Sequence, residues 1–159
     1  MTTFIIFSVF FLSNCSGSNA QTNNNTTDTI KQDNSYLQTG WYYIIDNNNF
    51  KRQLDKSSDF YFIDPEPIVT VKNFTKLEIY TSNFGDIELS IQLDKIGVKN
   101  WSNATERATG NYLAFILDNR LLHIAYVNSQ IMSGITVLNR SDYSKEELEK
   151  IKASIESEK

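Results

Sequence analysis

The chain has 159 residues, a net charge of −4 and a pI near 5.0. This length gives room for one domain once the apolar and polar ends are set aside. The acidic balance and the lack of a basic stripe argue against a nucleic acid partner, because a phosphate backbone is bound by clustered Lys and Arg.

The first dozen residues are almost entirely apolar, and the run at 4–12 contains a single serine. The run is too short to span a bilayer, which takes a helix of about 20 residues. Its length is typical of the apolar region of a signal peptide. Cys15 follows closely, and the arrangement resembles a bacterial lipobox, in which the cysteine is lipidated and becomes the new N-terminus. We therefore predict a lipoprotein signal over residues 1–15 and lipidation of Cys15. An ordinary signal peptide cleaved after Ala20 is the alternative, and that cleavage would discard the cysteine.

Residues 16–39 are rich in Asn, Thr and Ser and poor in apolar side chains. This composition cannot offset the entropy of ordering, so we predict a disordered tether that precedes one domain over residues 40–159. At roughly 5–6 Å × √n, about 20 flexible residues would separate a membrane anchor from the domain by about 25 Å. The expected location is the cell envelope, on the periplasmic side of the inner or the outer membrane.

The predicted domain begins with aromatic and β-branched runs. Residues 41–45 and 50–54 flank a segment of turn residues, which predicts a β-hairpin. A short strand is predicted at 60–63, ending at the sequence DPEP, because proline cannot donate a hydrogen bond within a central strand. The aromatic side chains of these runs are typical of strand cores, with a sugar- or peptide-binding platform as the alternative.

Two further strands are predicted at 76–81 and 87–93. In the second strand apolar and polar residues alternate, so one face should lie on a core and the other on water. Residues 100–109 lack a dense β-branched pattern and are followed by Gly110, which predicts a short helix with a C-terminal glycine.

Residues 113–117 and 120–127 are separated by Asp118 and Asn119, both of which tolerate positive φ, so a tight hairpin is predicted. The first of these two strands is apolar on both faces, which predicts a central position in the sheet, covered on one side by a helix.

A last strand is predicted at 135–138. Ser144 and Glu147 form a capping box that opens a C-terminal helix near 144–157, whose apolar stripe is Leu148, Ile151 and Ile155. Strand runs interrupted by two helices, without strand–helix–strand alternation, predict an α+β fold with a mostly antiparallel sheet.

One ordered set of motifs extends through the second half of the chain. Its members are Gly97, Trp101, Thr105, Gly110, the sequence LAFILD at 113–118, Ile131, Gly134 and the sequence SKEEL at 144–148. Over about residues 87–151 this set resembles the P1 head subdomain of SecD, the periplasmic part of the SecDF protein-export machinery. The resemblance implies a stand-alone head-like domain that contacts exported polypeptides.

The sequence also departs from the family pattern. Asn119 replaces a hairpin glycine, Tyr126 stands where a proline is usual, and a second glycine is missing near Asn139. SecD has transmembrane helices and an intramembrane acidic group for proton coupling, and neither is evident in this sequence. We therefore do not extend proton-driven translocation to this chain.

These features predict a non-enzymatic envelope lipoprotein that binds polypeptides or a protein partner at the membrane surface, with a link to protein export. The candidate partner-binding residues are Asp118, Asn119, Gln130, Ile131 and Gly134. The sequence gives no indication of the oligomeric state.

The alternative function is an envelope hydrolase with a site around His123, the only histidine. Asp118 and either Ser129 or Ser133 would complete a triad. A strand histidine between Leu and Ile is more often a hydrogen-bonded sheet residue, and no G-x-S-x-G motif is present. One histidine and one cysteine do not supply a zinc site, and the acidic residues lack the spacing of a calcium loop, so we expect no metal and no cofactor.

Overall fold

The computed structural model describes residues 36–46, 49–138 and 143–159. The predicted signal segment with Cys15, most of the predicted tether and Asn139 lie outside the described residues. The strands are β1 (Gly40–Ile45), β2 (Lys51–Gln53), β3 (Phe60–Thr70), β4 (Phe74–Thr81), β5 (Ile87–Leu93), β6 (Tyr112–Leu117), β7 (Arg120–Tyr126) and β8 (Ile135–Leu138). The helices are α1 (Lys95–Arg107) and α2 (Lys145–Ser157), with a 3-10 turn at Val71–Asn73. Neighbouring strands pair antiparallel, which confirms the α+β class.

The strands form two sheets, with the order β2-β3-β1-β6-β7 in the larger and β4-β5-β8 in the smaller. The hairpin predicted between residues 41–45 and 50–54 is wrong, because β3 lies between β1 and β2. The composition of the two strands explains their positions in the sheet. β1 reads GWYYII and suits a position between two partners, whereas β2 reads KRQ, with two of its three residues exposed, and suits an edge.

β3 is longer than predicted and continues through Pro65 and Pro67 to Thr70. β2 pairs only with the first three residues of β3, so the remainder of that edge of β3 has no strand partner in the described part of the chain. On the other edge, the pairing with β1 shifts register on both sides of Tyr42, which lies opposite Pro67. Proline is tolerated at strand edges and irregularities, which explains why it does not end this strand.

The larger sheet curves until its two edges meet. Leu54, directly after β2, forms a bridge with Leu121 of β7, and the Asp55 amide donates to the Leu121 carbonyl at 2.8 Å. The concave face holds its own cluster of buried side chains, Leu37, Tyr42, Ile63, Ala114, Ile116 and Leu121.

Residues 36–39, which we call the strap, belong to the folded unit, although the composition predicted a tether as far as residue 39. Leu37 is 2% exposed and Thr39 is fully buried. The Leu37 amide donates to Asn119 Oδ1 at 3.0 Å. The side chain of Leu37 therefore joins the concave cluster, although the residues around it in sequence are polar.

The main core lies between the convex face of the larger sheet, the smaller sheet and both helices. Trp41 is at its centre, with its ring centroid 5.1 Å from that of Trp101 and 5.3 Å from that of Phe115. Alternate residues of β6 point into this core and into the concave cluster. This confirms the central position predicted for that strand.

α1 begins earlier than the predicted 100–109 and ends at Arg107. Its N-cap is Asp94, whose side chain accepts from the Gly97 amide at 2.6 Å. A glycine disfavours helix in a sequence-based prediction. Here a Cβ on Gly97 would lie 3.0 Å from Asn73 Cβ and 3.1 Å from Leu93 Cβ, so close packing requires it.

α2 begins as predicted. The Glu147 amide donates to Ser144 Oγ at 3.3 Å and the Ser144 amide donates to Glu147 Oε2 at 2.8 Å, which confirms the capping box. Neither helix in the described ranges has the length and apolarity that crossing a bilayer would take.

Candidate partner-binding surface

The predicted hairpin turn is present, with φ of 45° at Asp118 and 63° at Asn119. The Asn119 side chain connects two other segments to the turn. Its Oδ1 accepts from the Leu37 amide at 3.0 Å and from Arg52 Nη2 at 2.6 Å, and its carbonyl accepts from Arg52 Nε at 3.0 Å. A glycine would adopt the same φ but would supply no side-chain acceptor, so Asn119 holds the strap and β2 together.

Asp118 is exposed but also has bonding partners within the domain. Its Oδ1 accepts from the Tyr36 hydroxyl at 3.0 Å, and its amide donates to Thr39 Oγ1 at 2.9 Å. Partial burial, followed by the hydrogen bond to this carboxylate, raises the pKa of Tyr36. Thr39 Oγ1 in turn donates to Glu158 Oε1 at 2.8 Å. Side chains of the strap thus bond to the turn, and Glu158, near the C-terminus, bonds to the strap in turn.

An open cavity of about 650 Å³, which we call the hairpin pocket, lies beside this turn. Its charged lining consists of Arg52, Lys56 and Arg120 with Asp55, and Leu54 and Leu121 are among its apolar residues. Lys56 adopts a positive φ of 54°, a conformation that is uncommon for a residue with a side chain. Its Nζ lies 2.6 Å from Glu147 Oε1.

The loop between β7 and β8 carries the other three predicted residues, and all three are held on α1. Gln130 Nε2 donates to Ser102 Oγ at 3.0 Å, and the Ile131 amide donates to Thr105 Oγ1 at 2.9 Å. Gly134 is buried with φ of 69°, and a Cβ there would lie 2.3 Å from Val98 Cγ2. These contacts therefore hold the β7–β8 loop against α1.

Three apolar side chains, one each in this loop, in β8 and in α1, are exposed to solvent. The exposed fraction is 72% for Met132, 66% for Ile96 and 44% for Ile135, and we call these residues the apolar rim. Met132 lies in the loop, Ile135 begins β8, and Ile96 lies in the first turn of α1, next to Gly97. Within the described residues β8 has a strand partner on one side only.

Sequence reasoning missed the apolar rim. The signal for Met132 and Ile135 was their position next to Ile131 and Gly134, which were already candidates. Ile96 carried no signal, because the start of α1 was placed too late.

A second cleft lies near the end of β6 that is away from the hairpin turn. It encloses about 320 Å³ and is lined by Tyr43, Arg107 and Tyr112, with Asp46 and Asp64. The Arg107 guanidinium lies 5.1 Å from the Tyr43 ring centroid. Tyr112 packs edge-on against Tyr126 with centroids 5.1 Å apart. Both pairs are contacts within the domain, and Tyr112 and Tyr126 remain half exposed.

The structure does not assemble the hydrolase triad. His123 is 7% exposed and lies edge-on to Trp41, with ring centroids 6.0 Å apart. Asp118 precedes β7, whereas Ser129 and Ser133 follow it. A strand of seven residues is about 23 Å long, so the candidate acid and the candidate nucleophiles lie towards opposite ends of the strand. Across the described ranges, no three His, Cys, Asp or Glu side chains lie close enough together to hold a metal ion.

Residues 47–157 match the model of a protein family described as SecDF, P1 head subdomain. A crystal structure of SecDF in a super-membrane-facing form aligns with a TM-score of 0.54 at 23% identity, covering 60% of this chain and 13% of that one. A structure of SecDF, a membrane component that enhances protein export, aligns with a TM-score of 0.57 at 16% identity, covering 76% and 63%. The chain thus spans less than two thirds of either relative, and identities this low indicate a shared fold only. No curated protein sequence matches the chain.

Proposed function

Because the chain belongs to the SecDF P1 head subdomain family, we propose that it binds polypeptides in extended conformation at the membrane surface, in support of protein export. SecDF is a membrane component that enhances protein export. In this proposal the chain is an envelope lipoprotein anchored through Cys15, and it acts by binding, without catalysis. The contact surface is the β7–β8 loop with the apolar rim.

The observation that carries this proposal is the exposure of Met132 and Ile135 at an edge strand, with Ile96 exposed on the helix that holds the same loop. An extended polypeptide can pair its main chain with the free edge of β8 while its apolar side chains contact the rim. Methionine suits such a surface, because its flexible thioether adapts to different partners. Binding of this kind is weak and tolerant of sequence.

Gln130, Ile131 and Gly134 have a supporting role in this proposal. Their contacts with Ser102, Thr105 and Val98 hold the loop on α1 and so fix the orientation of Met132. Holding the loop in one conformation reduces the entropy lost on binding. Asp118 and Asn119, the other two predicted contact residues, lie at the opposite end of β7, where they bond to the strap and to β2.

Membrane anchoring would compensate for weak binding by raising the local concentration of the domain near exported chains. A single acyl chain binds a membrane only marginally, whereas a lipidated N-terminal cysteine carries several. Intact-mass analysis of the mature protein from the membrane fraction tests the anchor. A mature chain that begins at Gln21 in the soluble fraction would remove the anchor from the proposal.

The polypeptide-binding surface is tested with a photo-crosslinking residue at Met132 in the full chain, expressed in cells with active export. We expect crosslinks to newly exported polypeptides. The matched control position is Phe84, which is 93% exposed but lies in the turn between β4 and β5. Equal crosslinking from both positions would show non-specific apolar contact and would contradict the proposal.

A binding measurement makes the same comparison with purified protein. The full chain is titrated with a fluorescent, permanently unfolded polypeptide, and anisotropy reports complex formation. Met132→Glu should weaken binding about tenfold, because a charge would have to be desolvated in the contact. Phe84→Glu should leave the affinity unchanged. If Met132→Glu also has no effect, the rim is not the binding surface.

A further inference from the structure

The pairing of β8 with β5 determines which main-chain groups lie at the free edge of β8, the side away from β5. The Leu93 amide donates to the Gly134 carbonyl at 2.9 Å, and these two residues lie in the register of the strand pair. In an antiparallel pair, residues that bond to the partner strand alternate with residues whose amide and carbonyl point away from it. Counting on from Gly134, the main-chain groups of Ile135 and Val137 therefore point to the free edge.

The main-chain groups at this edge are available to a partner strand. The Ile135 amide donates to Ser133 Oγ at 3.3 Å, so this donor has a local acceptor. Among the described residues, no turn, loop or side chain bonds to the amide or the carbonyl of Val137. Val137 thus presents a donor and an acceptor side by side, which is the arrangement that one residue of an added antiparallel strand would pair with.

The side chains of the same two residues share one face of the smaller sheet. Ile135 lies opposite Gln92 and Val137 lies opposite Ser90, on the face that is turned away from the core. Ile135 is 44% exposed and Val137 is half-buried. Because side chains directly opposite each other on neighbouring strands interact, an added strand would contact apolar side chains on this face at every second residue.

The free edge of β8 lacks the features that protect the edges of β2, β3 and β4. β2 reads KRQ, the unpaired part of β3 contains Pro65 and Pro67, and β4 carries Lys76 and Glu78 as an ion pair at 2.8 Å. β8 reads ITVL, without charge and without proline. Charged residues and proline prevent an edge from pairing with another chain, so β8 is suited to accept a strand.

We infer that this edge selects polypeptide segments whose apolar residues recur at every second position, and that it adds them as an antiparallel strand anchored at Val137. The inference rests on the proposed function and names the class of segment that is bound. A residue opposite Val137 would donate to its carbonyl and accept from its amide, and the residue two positions further on would donate to the Ile135 carbonyl. The antiparallel direction continues the pairing of β4, β5 and β8 and is the more stable one per residue.

The selection follows from the geometry of the added strand. The residues that bond to Val137 and Ile135 also place their side chains beside these two, whereas the residue between them points to the other face. Apolar side chains are favoured at those alternate positions, and proline is excluded there because it has no amide to donate. Segments with this period form strands with one face in water. Amphipathic helical segments space their apolar residues by three and four, so a strand would divide them between both faces.

The first test compares two peptides of identical composition and about nine residues, within the usual length of a strand. One alternates valine with serine and lysine, and the other places the same valines at helical spacing. Each competes with the fluorescent unfolded polypeptide for the full chain, and anisotropy reports displacement. We expect the alternating peptide to bind about tenfold more tightly, a factor equivalent to one net hydrogen bond. Equal affinities would overturn the inference.

The second test removes main-chain donors from the alternating peptide. N-methylation of its valines should abolish competition, because their amides would face β8 in the antiparallel register. N-methylation of the residues between the valines should preserve competition, because those amides would point away from the sheet. The reverse result would mean that the added strand is parallel, and the assigned pairing at Val137 would be wrong.

The third test changes the edge itself. Val137→Pro removes the amide at an edge position, where proline is tolerated in a sheet, and should weaken binding of the alternating peptide about tenfold. Val137→Ile is the matched control, since it keeps the amide and an apolar branched side chain and should bind as the original chain does. Urea unfolding checks that both variants are folded. If Val137→Pro is not, the two N-methylated peptides decide the matter.

The inference and the proposed function fail separately in these experiments. Met132→Glu should weaken both peptides, because the apolar rim contributes to either contact. If that variant weakens binding but the two peptides bind the original chain equally well, the selection of alternating segments is wrong and the rim remains the binding surface. If the original chain does not bind the unfolded polypeptide at all, the proposed function is wrong as well.

Discussion

The two sheets of this domain differ in how they are buried. In the larger sheet, β6 is covered on both faces, and Leu113 through Leu117 are each at most 2% exposed. In the smaller sheet, one face of β4 and β5 packs on the core, whereas the other carries Lys76 and Gln92 in contact with solvent. The larger sheet therefore supplies most of the stabilising burial, and the smaller sheet supplies surface.

The sheet edges show the same difference. The larger sheet closes only where Leu54 meets Leu121 and the strap bonds to the hairpin turn, whereas in the smaller sheet β8 is paired on one side only within the described residues. Elements with fewer buried contacts open at lower free energy than the core of the same domain. We therefore expect a partner bound at the smaller sheet to leave the larger sheet undisturbed.

Gly134 connects the smaller sheet to α1 and offers the strongest test of this contrast. Gly134→Ala should destabilise the domain by about 3 kcal/mol, because it combines a positive φ with a Cβ that overlaps Val98. Urea unfolding measures the change. Gly110→Ala is the control, since its φ of 81° is also positive but no atom lies within 4 Å of the added Cβ. Its expected cost is about 1–2 kcal/mol. Equal costs would mean that the loop moves away from Val98 without penalty.

Leu37 tests whether the strap is part of the larger sheet. Leu37→Ala should lower the free energy of unfolding by about 2–3 kcal/mol, because it leaves a cavity in the concave cluster. The neighbouring Gln38 has an exposed side chain, so Gln38→Ala should change stability by less than about 0.5 kcal/mol. A chain that starts at Gly40 should be destabilised at least as much as Leu37→Ala. If both single variants melt at the same temperature, the strap does not stabilise the sheet.

Variants of Asn119 test how much its side-chain hydrogen bonds at the hairpin turn stabilise the larger sheet. Asn119→Gly should destabilise the domain by about 1–2 kcal/mol, because Arg52 Nη2 and the Leu37 amide lose their shared side-chain acceptor. The freedom of glycine at positive φ offsets part of this cost. Asn119→Asp keeps an oxygen acceptor at the same place and should be tolerated better. A glycine variant as stable as the original chain would show that the side-chain bonds contribute nothing.

The elements that the sequence predicted well are specified by local signals. The Asp118–Asn119 turn, the Ser144 capping box and the alternation in β5 each depend on a few neighbouring residues. The partners of β1 are distant in sequence, at β3 and β6, and no local pattern identifies them. The strap was missed for a similar reason, since one buried leucine among polar residues produces no periodic pattern.

The candidate surface was predicted less completely. The motif residues Gly97, Trp101, Thr105 and Gly134 proved to be packing and hydrogen-bonding positions, which explains why they identify the fold. A binding surface consists instead of residues that the fold leaves unused. Met132, Ile96 and Ile135 became evident only from their exposure, which depends on where α1 starts and on which face of β8 points outward.

The outer face of the smaller sheet gives the smallest expected effect. Tyr80 and Glu88 lie opposite each other on β4 and β5, and the Tyr80 hydroxyl donates to the Glu88 carboxylate. This hydrogen bond, with partial burial, raises the pKa of Tyr80 to about 12 from its ordinary value of 10.0. A folded-state pKa above the unfolded value contributes stability that is complete below pH 10 and is lost as pH rises towards 12.

The urea stability of the original chain should therefore fall more steeply over that interval than the stability of Tyr80→Phe, and phenolate absorbance should lose its step near pH 12 in that variant. Glu88→Gln keeps an acceptor but removes the charge, so the same step should move towards lower pH. Parallel stability curves for all three proteins would show that this pair is solvated, and that the outer face contributes nothing to the fold beyond the surface that it presents.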